Sequence, residues 1–165
     1  MTHSFKRYLI SDQQLIDKIV GESTLVHSDK DKWTKTYLNS TTGDKWICFS
    51  VDTGQQGGGY KILGRLPLPN TDELIEIALQ SHFDDEIFAA CRTLTDKEQS
   101  KNKEFRKAII DKLEQIDDKI RQKKIIESVG LTSSLNRRDI LGKTFEQINS
   151  DAKYFEDIAK RAKKL

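Results

Sequence analysis

The segment from Trp33 to Pro67 restricts the fold more than any other part of the chain. It reads W-T-K-T-Y-L, N-S-T-T-G, D-K-W-I-C-F-S-V-D, T-G-Q-Q-G-G-G and Y-K-I-L-G-R-L-P in succession. Branched and aromatic side chains pack well on a pleated surface and lose rotamer freedom in a helix, so these runs favour strands. The Asn and Gly clusters between them supply turns. The expected product is a β-meander with strands near 33–39, 44–52 and 60–66, preceded by a weaker strand at 24–27. In the second of these runs Ile47, Phe49 and Val51 share one face and Trp46, Cys48 and Ser50 the other. A strand apolar on both faces belongs at the centre of a sheet, and so small a sheet must take its cover from helices.

Helical signals flank the meander. Ser11-Asp12-Gln13-Gln14 has the form of a capping box, after which Leu15, Ile16, Ile19 and Val20 fall on one face until Gly21. Beyond Pro69 the apolar period changes from two to that of a helix. Asn70 is placed to cap a segment carrying Leu74 to Leu79, and Asp84 one that puts Ile87, Cys91 and Leu94 at i, i+4 and i+7. Thr95-Asp96-Lys97-Glu98 is a further capping box, and the stripe Phe105, Ile109, Leu113, Ile116 and Ile120 extends to about Gly130. From Phe145 the apolar positions 145, 148, 152, 155, 159 and 162 alternate three and four apart. A seam shorter than three heptads marks a helix docked on its own domain rather than a dimer zipper. The expected fold class is α+β: a small antiparallel β-meander packed against four to five helices with a C-terminal helical hairpin. It is expected as a single domain over residues 1–165, with a helix at 11–22, the meander at 24–67 and a helical part at 71–165.

Charged residues make up 33% of the chain and no apolar run reaches the length of a bilayer span. The opening M-T-H-S-F-K-R-Y-L-I lacks the apolar core of a secretory signal, and a cytoplasmic protein without membrane contact is expected. Cys48 and Cys91 lie inside apolar segments, where a reduced thiol behaves as a small hydrophobe. The net charge of +2 conceals a division: residues 1–69 carry +2, residues 70–118 carry −6 and residues 119–165 carry +6.

Patterns that could carry chemistry are each answered by their neighbours. Gly57-Gly58-Gly59 is not a phosphate cradle, because a P-loop needs Lys and Ser or Thr directly after its glycines and a helix beyond, whereas Tyr60-Lys61-Ile62-Leu63 continues as a strand. Asp52-Thr53-Gly54 spells the aspartic-protease triplet, but that chemistry needs two facing carboxylates and no second copy exists in the sequence. His3, His27 and His82 have no partner at a metal-ligand spacing. Asp84-Asp85-Glu86 sits where a first helical turn takes acids to complement the helix dipole, and also offers an acidic face to a basic partner. The basic residues Lys119, Arg121, Lys123, Lys124, Arg137, Arg138, Lys160, Arg161, Lys163 and Lys164 lack the aromatic interleaving of a nucleic-acid site. No catalytic residue, cofactor or metal site is expected.

Trp33-x-x-x-Tyr37, then Gly43-Asp44-Lys45-Trp46, then Gly57-Gly58-Gly59 and Leu63 resemble the core of a family of bacterial polymorphic-toxin immunity proteins, in which a W-x-x-x-[LY] strand, a D-G-x-x-W hairpin and a G-G-G loop follow in this order. The likeness covers about 35 residues. Thr42-Gly43 stands where the family has Asp-Gly, and a long helical part follows where the family is short. The resemblance implies a small cytosolic protein that is not an enzyme and that binds and neutralises a cognate toxin or effector. The contact surfaces expected are the loop Gln55, Gln56, Gly57, Gly58, Gly59 and Tyr60 and the acidic entry Asp84, Asp85 and Glu86, where charge reversal at Asp85 and Glu86 is expected to slow association and leave stability intact. The alternative is a helical adaptor that forms a homodimer through the 145–162 seam.

Overall fold

A computed structural model describes residues 6–54, 58–138 and 141–165. The chain is α+β, with a five-stranded antiparallel sheet and, among the described residues, six helices. It divides into two compact units, Met1–Thr93 and Leu94–Leu165.

The first unit holds the sheet. Strands β2 (Thr24–Asp29), β3 (Thr34–Leu38), β4 (Lys45–Val51) and β5 (Tyr60–Arg65) form the expected meander, and β1 (Leu9–Ile10) adds to the far side of β5, giving the order β1-β5-β4-β3-β2. The expected central strand is central: Trp46 and Val51 are buried, and Ile47, Cys48 and Phe49 half-buried. Helix α1 (Gln13–Gly21) lays Ile16, with Leu15, Ile19 and Val20 beside it, on Ile10, Trp46 and Leu63. Its cap is Asp12, which accepts from the Leu15 amide at 2.8 Å, and not Ser11, whose hydroxyl donates to the Asp85 carbonyl. Helix α2 (Thr71–Gln80) begins as expected at Asn70, with a capping box closed by Glu73. Gly43, at φ 76, closes the β3–β4 turn, in which the Asn39 side-chain oxygen accepts from the Thr41 and Thr42 amides.

Helix α3 (Asp84–Lys101) departs from the reading at Thr95-Glu98, where a new helix start was expected. The helix runs through, because Glu98 does not reach back to cap Thr95; it is buried and bonded to Arg106. The break falls instead near Asn102, at φ 50.

The second unit contains the end of α3 with α4 (Arg106–Leu113), α5 (Lys119–Val129) and α6 (Phe145–Ala162). The stripe read as one helix from Phe105 to Ile120 is cut after Leu113, and Asp118 caps a new helix by accepting from the Arg121 amide. Ile120 is consequently exposed, while Phe105, Ile109 and Leu113 are buried. Gly130 ends α5 at φ 73, as expected. Along the C-terminal seam, Phe155, Ala159 and Ala162 are buried and Phe145 is 77% exposed.

Arg161 ties α6 to the end of α4 through Glu114, at 2.8 and 2.7 Å, and Asp111. Hydrogen bonds from Lys107 and Arg161 hold the Asp111 carboxyl below its ordinary 3.8, and Arg161 holds Glu114 below 4.5. A carboxyl depressed in the fold stabilises the fold above its unfolded pKa and loses that contribution as pH falls through the folded value. The α4–α6 contact should therefore be intact above pH 4.5 and loosen on acidification below it. Thermal melts of the wild type and Arg161→Gln across this range check it: the two should converge at low pH and differ above it.

Candidate partner-binding surface

The acidic entry and the hairpin expected to contact a partner are both organised by the first turns of α3. Glu86 is 5% exposed. One of its oxygens accepts from the Tyr8 amide at 2.7 Å and the Leu9 amide at 3.1 Å, and the other from the Ser81 hydroxyl at 2.6 Å. Asp85 accepts from the amides of Ser11 and Asp12 at 3.1 and 3.2 Å and pairs with Arg7, whose guanidinium stacks 4.2 Å from the Phe83 ring. An unpaired amide at a sheet edge needs a partner. These two carboxylates supply it along β1. The expectation that charge reversal there leaves stability intact is corrected: lysines at 85 and 86 would strip the β1 segment of its acceptors. Asp84 faces solvent.

Further along the same face of α3, Phe88 meets Tyr60 edge-on at 5.0 Å, and Arg92 stacks 5.5 Å from Tyr60 and bonds Asp52 at 2.6 Å. Positions 85, 88 and 92 recur at helical spacing, so the β4–β5 hairpin and the β1 segment hang on one row of side chains. The Asp52 of the D-T-G triplet is a structural ion-pair partner at φ 56. Gly58 and Gly59 lie at φ 82 and 78, and Tyr60 is 43% exposed. Gln55, Gln56 and Gly57 lie outside the described residues, as does His3.

Sequence reasoning missed a cleft of about 800 Å³ between the end of β5 and α2. Leu66, Pro67, Leu68, Ile77 and Phe83 give it an apolar lining, and Asp72, Glu73 and Glu76 of α2 line it together with Lys6 and Arg65. Pro67-Leu68-Pro69 was the available signal, since prolines flanking an apolar residue hold the backbone extended and leave Leu68 on the surface. Leu68 is 41% exposed.

Other groups that could carry chemistry are engaged within the fold. Burial pushes the Cys91 thiol up to about 12, which keeps it protonated and inert. Cys48 is also raised by burial. In the basic segment, Arg138 pairs with Glu104 and Asp151 and stacks 4.5 Å from the Tyr154 ring, Lys143 pairs with Asp151, and Arg161 is bound as described above. Among the described residues no three His, Cys, Asp or Glu side chains gather as a metal-binding group, and no helix is long and apolar enough to cross a membrane. Comparison with protein-family models, with characterised proteins and with solved structures finds no match.

Proposed function

We propose that this chain is a non-catalytic, cytosolic protein-binding domain of the immunity type, which neutralises a toxin or effector domain by covering its active-site groove. The observation that carries this reading is the cleft beside β5 and α2. Its apolar lining and the carboxylates of Asp72 and Glu76 suit a loop that presents an apolar residue next to lysine or arginine, as at the rim of a basic active-site groove. The resemblance adds support, since Tyr37, Trp46 and Leu63 of its motif fall on the consecutive strands β3, β4 and β5, with Trp33, Gly43 and Gly58-Gly59 in the connections beside them.

The seam of α6 supports the adaptor reading less well. A dimer through it would have to expose Phe155, Ala159 and Ala162, which are already buried.

Co-expression with a toxin domain, if the coding context places one directly upstream, tests the proposal. The chain should suppress killing and form an equimolar complex, and an undiminished toxin overturns the reading. Asp72→Lys with Glu76→Lys should slow association about tenfold, with a small fall in melting temperature because Asp72 lies in the first turn of α2 and Glu76 accepts from Gln80. Association at the wild-type rate would remove the cleft from the contact surface.

A further inference from the structure

A second hollow, of about 490 Å³, adjoins the cleft: Lys6 and Arg65 line both, and Ile10, Leu15, Ile19 and Trp46 give the second its apolar lining. Most charged groups around the two hollows are engaged. Arg65 pairs with Asp44, donates from Nε to the Arg7 carbonyl at 2.8 Å and stacks 4.4 Å from the Trp46 ring. Arg7 pairs with Asp85, Glu73 accepts from the Asn70 amide at 2.8 Å, and Glu76 accepts from the Gln80 side chain at 2.7 Å. Two groups are not engaged in this way. Among the described residues neither the Lys6 ammonium nor the Asp72 carboxylate, both on exposed residues lining the cleft, makes an ion pair or a hydrogen bond, and the two do not reach each other.

A charge beside apolar surface is solvated while the cleft is open, but it loses water when an apolar residue fills the cleft and then needs an opposite charge. On the reading of the cleft as the contact surface, we propose that it takes an extended segment of the partner in which an apolar residue is flanked by a base that pairs with Asp72 and an acid that pairs with Lys6. A purely basic segment would satisfy Asp72 but bring its other cations against Lys6 and Arg65, and like charges brought together cost affinity. A purely acidic segment would meet Asp72, Glu73 and Glu76 in the same way. A segment that carries both signs avoids both conflicts. The two unpaired groups therefore select the segment and set which of its ends lies toward α2. The engaged groups hold the shape of the site: Asp44 and the Arg7 carbonyl fix Arg65 on Trp46, where the two hollows share a boundary.

Selection of random linear peptides displayed on phage against the immobilised full-length chain tests it. Enriched peptides should carry a base and an acid on either side of an apolar residue, and a synthetic copy of the most enriched one should bind with a Kd in the micromolar range by fluorescence polarisation. Lys6→Glu should weaken that binding about fivefold, and exchanging the peptide's acid for lysine should restore it. Asp72→Lys should act likewise on the peptide's base, restored by exchanging that base for glutamate. Lys6 is exposed and unpaired, so its reversal leaves the fold intact, and if Asp72→Lys does not fold, Asp72→Asn reads the same loss. No enriched peptide, or one whose binding neither change weakens, overturns the proposal. Enriched peptides of this kind from a chain that fails to suppress killing would overturn the immunity reading alone, and suppression by a chain that enriches none would overturn this inference alone.

Discussion

Replacing Arg106 by alanine is expected to destabilise the helical unit by about 3–5 kcal/mol, the range found when one partner of a buried ion pair is removed. The Arg106 and Glu98 side chains are 0% and 2% exposed. Their contact is bidentate, at 2.7 and 2.9 Å, and the guanidinium also stacks 5.1 Å from the Phe155 ring. Alanine would leave the Glu98 carboxylate without its counter-ion in a low-dielectric interior and open a void beside Phe155. The third guanidinium nitrogen, Nη1, is buried with no hydrogen-bond partner, so the pair is an imperfect one. A double replacement, Glu98→Leu with Arg106→Met, should therefore recover most of the loss. Urea unfolding followed by far-UV circular dichroism reads both. A loss below about 1 kcal/mol for Arg106→Ala would mean that the pair is solvated and not buried.

The second large effect is expected at Gly59. A Cβ there would stand 2.1 Å from the Val51 carbonyl oxygen and 2.8 and 2.9 Å from the Asp52 carbonyl carbon and oxygen. Those atoms are backbone at the end of β4, so no side chain can swing aside. The residue also sits at φ 78, where an L side chain is strained. Gly59→Ala should cost about 2–4 kcal/mol by forcing the hairpin open, and should disturb the Asp52–Arg92 and Tyr60–Phe88 contacts with it. Gly58 is the internal control. Its φ of 82 carries the same conformational strain, but its Cβ would meet open space. Gly58→Ala should cost about 1 kcal/mol. Equal costs at the two positions, measured by thermal unfolding with Trp46 fluorescence, would contradict the close approach.

The glycine run illustrates how far the residues could be read alone. That Gly58 and Gly59 lead into a strand and not a phosphate cradle was legible, because Tyr60 to Leu63 continues as a strand. Which glycine is indispensable was not, since the carbonyl that crowds Gly59 approaches from the opposite strand. The same limit applies to the acids. Asp84-Asp85-Glu86 was recognisable as the opening turn of a helix, yet the amides that engage Asp85 and Glu86 belong to residues 8–12, more than 70 positions away in sequence. Strand β1 is two residues long, too short to show a period, and exists because β5 and those carboxylates receive it. The cleft beside α2 escaped notice for the same reason: its walls come from three separate parts of the chain.

By itself the sequence determined the type of the main elements, the cap at Asn70, a helix end near Gly130, the central place of the Trp46 strand and the burial of Cys91. These follow from side-chain periodicity, local hydrogen bonding and the φ demands of single residues, all of which act within a few positions. Only the tertiary structure decided that α3 runs past Thr95 without a break, that the stripe from Phe105 to Ile120 is cut in two, and that the β1 edge of the sheet is sealed. Each of those outcomes turns on a charged or polar group meeting a partner brought to it by the fold: Glu98 on Arg106, Asp85 and Glu86 on the β1 amides. A local pattern records the need for such a partner but not which residue fills it.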